Sequence, residues 1–105
     1  MKPKAYVTRV LPKPAMDLIH SSCDAEVWDG DLPPPRAVLL DGVRDVEGLL
    51  SLVTEAVDGE LMNRAAKLRV ISNYGVGFDN VDVAEATRRG IIVGNTPGVF
   101  QDFDR

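Results

Sequence analysis

The amino-acid sequence predicts an α/β domain built as an open parallel sheet of about five strands with helices on both faces. Short apolar, β-prone runs alternate with segments of helical period along the 105 residues. Proline and glycine punctuate the short joins between them. Strands that follow one another only through helices must lie parallel and be linked by right-handed crossovers.

The elements follow in order. "AYVTRV", Ala5 to Val10, is a first strand ended by Pro12. "PAMDLIHSSC" puts Ala15, Leu18 and Ile19 on one helical face, with Pro14 at an early helical position. "AEVWDG" is a shorter strand stopping at Gly30, and "DLPPPRAVLLDGV" is a proline turn followed by a helix with Val38 and Leu39 inward. "VEGLLSLVT" is almost continuously apolar, the pattern of a strand buried on both faces. "EAVDGELMNRAAKL" has helical period, with Leu61, Met62 and Ala65 on one side. "RVIS" is a further strand. In "VDVAEATRRG", Asp82 and Glu85 fit a capping box and Gly90 stands where a helix-ending glycine belongs. "IIVGN" is the last strand. The arrangement resembles the flavodoxin-like sheet, in which ligands sit beyond the carboxyl ends of the strands. Attention therefore falls on Arg9 to Pro12, Leu52 to Ala56 and Asn73 to Asn80.

The last of these holds Gly75 and Gly77 in a G-x-G spacing between strand and helix. A dinucleotide fingerprint needs a third glycine where Asn80 stands and an acidic residue ending the next strand, which instead ends Gly94-Asn95. Both requirements fail. Glycines at these positions still let main-chain N–H groups converge on an anion beside a helix N-terminus. On spacing alone, a tight strand-to-helix turn that uses glycine only for its geometry fits slightly better.

Bulk properties narrow the function further. A formal charge of −4 with scattered basic residues is not a nucleic-acid surface. No apolar run approaches membrane-spanning length, and "MKPKAYVTRV" lacks a signal-peptide core, so neither a membrane nor secretion is expected. The single cysteine, Cys23, reads as a half-buried structural thiol, and a reducing, cytoplasmic compartment fits. His20 falls inside the first helix as a surface residue. No His, Cys and carboxylate cluster has metal-ligand spacing, and there is no G-x-S-x-G elbow. "GLLSLVT" lacks the aspartate of a phospho-acceptor domain, and "TRVLPKP" lacks the hydroxyl-rich loop of a flavin site.

The stretches "KAYVTRVLP" and "DVEGLLSLVTEAVDGELMNRAAKLRVISNYGVGFDNVDVAEATRRGIIVGNTPGV" resemble the amino-terminal part of D-isomer-specific 2-hydroxyacid dehydrogenases, in particular the glyoxylate/hydroxypyruvate reductase branch. The resemblance runs from about Lys4 to Val99. It implies residues 1–99 as a substrate-binding domain, and 100–105 as a truncated tail at the hinge to a Rossmann cofactor domain absent from this chain. It implies that Val76 and Gly77 hold the substrate carboxylate through their main-chain amides, with Gly75 giving room. Leu52, Val53 and Thr54 would lie near the substrate side chain, and Asn95, Thr96, Pro97 and Gly98 would form the hinge. The partner implied is a small 2-keto or 2-hydroxy acid. NAD(P) belongs to the parent family, and no cofactor or catalytic residue is expected in this stretch. Apolar surface left open would favour homo-oligomers. Other readings are a stand-alone small-carboxylate binding module and a non-catalytic interaction remnant.

Overall fold

A computed structural model describes residues 2–74 and 78–95. Strands and helices alternate as β1 (Lys4–Val7), α1 (Lys13–Ser22), β2 (Asp24–Val27), α2 (Arg36–Gly42), β3 (Gly48–Leu52), α3 (Gly59–Arg64), β4 (Val70–Tyr74), α4 (Val83–Arg88) and β5 (Ile92–Asn95). All pairings are parallel, in the order β2-β1-β3-β4-β5. This is the flavodoxin-like order, and the direction of winding reverses between β1 and β3.

The register explains the core. Tyr6 lies opposite Leu49, Leu49 opposite Ile71, and Ile71 opposite Val93, giving one apolar row across the sheet. Leu39, Leu40 and Val43 from the α2 segment, Leu61 and Met62 from α3, and Ala86 from α4 close over that row. Full burial of each large side chain contributes about 1.5–3 kcal/mol. Residues one step along each strand point to the other face, where α1 covers only the β1 side. Ala5 and Val7 are buried there, but Val70 is 43% and Ile92 68% exposed. An apolar groove of about 470 Å³ remains between Ile19, Leu50, Val70 and Ile92.

Several sequence expectations change in detail. β3 alternates buried and half-buried residues instead of being buried on both faces, because α1 does not reach across it. Leu40, not Val38, joins Leu39 in the core. In α1 Ala15 is buried but Leu18 is exposed, since that helix meets only the flank of the sheet. β1 ends at Val7, and α3 begins only after Asp58, whose carboxylate accepts the Leu61 N–H at 3.1 Å. Asp82 caps α4 through the Glu85 N–H at 3.0 Å. The capping box stays half-formed: the Asp82 N–H already donates to the Val57 carbonyl, and the Glu85 side chain turns to Arg88 and Arg89. Gly90 ends the helix with φ +75°, a conformation that favours glycine.

Candidate functional site

At their carboxyl ends, β1, β3 and β4 deliver polar side chains into the interior. Thr8, Ser51 and Asn73 are wholly buried and Glu55 is 4% exposed. Buried polar groups need partners, and here they supply one another. The Glu55 carboxylate accepts the Thr8 hydroxyl, the Leu52 N–H at 2.9 Å and the Thr54 hydroxyl. One side chain thus joins the end of β1 to the β3–α3 loop.

A second group of bonds joins that loop to the segment after β4. Asn80 Nδ2 donates to the carbonyls of Leu52 at 3.0 Å and Glu55 at 2.8 Å. Its Oδ1 accepts from Asn73 Nδ2 at 2.9 Å, and Asn73 Oδ1 accepts the Ser51 hydroxyl at 3.0 Å. Main-chain bonds from Val57 N–H to the Asn80 carbonyl and from Asp82 N–H to the Val57 carbonyl add a parallel bridge between Val57 and Val81. From the other side Arg36 donates to the Ala56 carbonyl and to Asp58, both at 2.6 Å. Burial alone would raise the Asp58 pKa, but the Leu61 N–H and Arg36 outweigh it and hold the carboxyl below its ordinary value. Tyr6 is pushed the opposite way, first by burial and then by the carboxylates of Glu26 and Glu55, so its phenol stays neutral.

Leu52 ends β3 and is half-buried, while Val53 and Thr54 are exposed beyond it. The structure thus places these three in the loop held by Glu55 and Asn80. Gly75, Val76 and Gly77 lie outside the described residues, as do Thr96, Pro97 and Gly98. Asn95 closes β5 opposite Asn73. Arg9 follows Thr8 at the switch between β1 and β3, with its Nε buried and unpartnered. His20 is exposed, and Cys23 is half-buried. Among the described residues no group of three or more His, Cys, Asp or Glu could hold a metal, and no helix is long and apolar enough to cross a membrane.

Sequence reasoning passed over Glu55 and the two asparagines. The helical period that opens at Glu55 gives no sign of its carboxylate's partners, and in the glycine pattern Asn80 stands out only where the third glycine is missing. The available signal was an asparagine on each side of the glycine pair, at Asn73 and Asn80. Asn80 also departs from the dinucleotide fingerprint: its side chain, committed to the Leu52 and Glu55 carbonyls, stands where that turn has the glycine that lets helix and strand pack closely. A wider cavity of about 950 Å³ opens at the amino ends of the strands among Lys4, His20, Asp45 and Arg69. It is lined by charges of both signs and lies at the opposite end of the strands from the site.

Fold and site together define a flavodoxin-like α/β domain with a buried polar network at the carboxyl ends of β1, β3 and β4. Residues 5–102 match the model of the D-isomer specific 2-hydroxyacid dehydrogenase catalytic domain, and the chain belongs to that family. A glyoxylate reductase of Thermococcus gammatolerans is 50% identical over 100 residues, covering 95% of this chain and 30% of that protein. The crystal structure of the TT0316 protein from Thermus thermophilus matches with a TM-score of 0.84 at 43% identity, over 91% of this chain and 31% of that one. An NADPH-dependent glyoxylate/hydroxypyruvate reductase from Sinorhizobium meliloti, solved with NADP and malonate, matches with a TM-score of 0.71 at 27% identity, over 92% and 29% of the two chains. The chain thus spans about 30% of the length of the relatives it matches.

Proposed function

We propose that this chain is the substrate-binding part of an NAD(P)-dependent D-2-hydroxyacid dehydrogenase that reduces small 2-keto acids of the glyoxylate or hydroxypyruvate type. The main-chain amides of Val76 and Gly77, with Gly75 giving room, receive the carboxylate. Leu52, Val53 and Thr54 flank the remainder of the substrate, and Asn95 to Gly98 lead towards a cofactor domain. The observation that carries this reading is the joining of the β3–α3 loop, which borders the switch point of the sheet, to the segment ending at Asn80 after β4. That junction ties the loop carrying Leu52, Val53 and Thr54 to Asn80, which supports the reading that this loop and the glycine pair serve one ligand. The malonate held by the Sinorhizobium relative is a small dicarboxylate and supports the same ligand chemistry.

The nicotinamide cofactor would supply the hydride, and this chain's contribution is to bind and orient the acid. A site with few side-chain contacts encloses little of its ligand, so affinity on the order of millimolar is expected. The test is a glyoxylate titration of the chain followed by amide NMR. Saturable shifts at Gly75, Val76 and Gly77, with smaller ones at Val53 and Thr54, are expected. A flat response at those amides up to about a hundred millimolar, far above the expected affinity, would refute the proposal. The isolated chain is also expected not to oxidise NADH or NADPH with glyoxylate.

A further inference from the structure

We propose that Asn80 is a positioning residue, whose side-chain amide fixes the β3–α3 loop relative to the segment that carries the substrate carboxylate. The inference deepens the function proposed above and rests on it. The Asn80 amide has two N–H hydrogens. Its two shortest contacts go to Glu55 O at 2.8 Å and Leu52 O at 3.0 Å. Those carbonyls bracket Val53 and Thr54, which are exposed and gain little from packing. The backbone bonds through Val57 hold only the far side of this loop.

The orientation of the amide is itself specified. Asn73 Nδ2 donates to Asn80 Oδ1, and Asn73 Oδ1 accepts the Ser51 hydroxyl and lies 3.1 Å from Asn80 Nδ2, so a flipped Asn80 would set its donors against the Asn73 donor and its oxygen against the Leu52 and Glu55 carbonyls and Asn73 Oδ1. Only a side chain with donors on one branch and an acceptor on the other satisfies all these partners. Aspartate keeps the shape but loses both donors. Alanine loses everything.

The experiment compares the wild-type chain with Asn80→Ala, Asn80→Asp and a core control, Val43→Ala, which lies at the opposite end of the domain. The first readout needs no ligand: exchange of the Glu55 amide, which donates to the same Leu52 carbonyl that Asn80 holds. Both Asn80 variants should exchange that amide about tenfold faster than their global unfolding allows, and the control should not. The second readout is the glyoxylate titration, where both Asn80 variants should weaken apparent affinity by about fivefold or more at unchanged wild-type-like binding in the control. If Asn80→Ala behaves as the control does in exchange, or binds glyoxylate as the wild type does, the proposal is overturned. A wild-type chain that shows no glyoxylate shift sinks the substrate reading instead, and exchange at Glu55 then decides the clamp by itself.

Discussion

Replacing Glu55 by alanine tests whether the buried network holds the working end of the domain together. The carboxylate receives three donors, from Thr8, Leu52 and Thr54. Thr54 is exposed, so water replaces its partner at little cost. Thr8 is wholly buried and the Leu52 N–H faces the protein, so both become orphans. A buried donor left unsatisfied costs about 1–3 kcal/mol, which puts the pair at about 2–6 kcal/mol. A water entering the vacated space recovers part of that, and about 2–3 kcal/mol is expected. Against a total stability of about 5–15 kcal/mol for a domain, the loss is large. Glutamine keeps an oxygen for Thr8 and Leu52, and the Thr54 hydroxyl can turn to accept from its amide, so Glu55→Gln should cost only about 0.5–1.5 kcal/mol. Urea denaturation at neutral pH reads both, provided the m-values agree. An alanine variant within about 0.5 kcal/mol of the wild type, the range of an ordinary surface change, would refute the reasoning.

Gly42→Ala should destabilise the domain although alanine favours helices. The added Cβ would stand 2.6 Å from Tyr6 Cε1 and 2.9 Å from Cδ1, and the ring, only 1% exposed, has nowhere to swing. Overpacking of about 1–3 kcal/mol exceeds a propensity gain of about 0.5–1 kcal/mol, so the thermal midpoint should fall; a rise would show that the ring yields. The pH dependence of stability should carry the mark of Asp58. Its folded pKa is lowered, so its contribution is full above the unfolded value of about 3.9 and is lost as pH falls through the lower folded value. Asp58→Asn retains the helix cap and loses the Arg36 ion pair. Its urea midpoint should therefore fall less than that of the wild type between about pH 6 and pH 3; equal slopes would assign the acid loss elsewhere.

Most of the architecture was legible because the apolar periodicities of strand and helix differ and each join carries its own punctuation. Asp82 and Gly90 marked the ends of α4 through local chemistry alone. What the sequence did not show was long-range. Val38 and Leu40 are equally apolar, and only the placement of α2 on the sheet decides which is buried. The exposed flank of β3 depends on how far α1 reaches. At the site, Glu55 and Asn80 meet across 25 residues, so no local pattern could join them. The glycine pair was visible because glycine states a backbone need. The side chains that join the two flanking loops state theirs only in three dimensions.

Two features of Asn80, a side chain where a dinucleotide fingerprint has glycine and bonds that hold the β3–α3 loop, belong together. A dinucleotide turn uses glycine at that position so that helix and strand can approach, and the bound pyrophosphate itself then engages the exposed amides. A small carboxylate offers two oxygens and little surface, so it cannot hold flexible loops in place by its own contacts. Order must come from the protein before the ligand arrives. An asparagine in place of the glycine supplies that order, by committing its donors to the Leu52 and Glu55 carbonyls of the neighbouring loop.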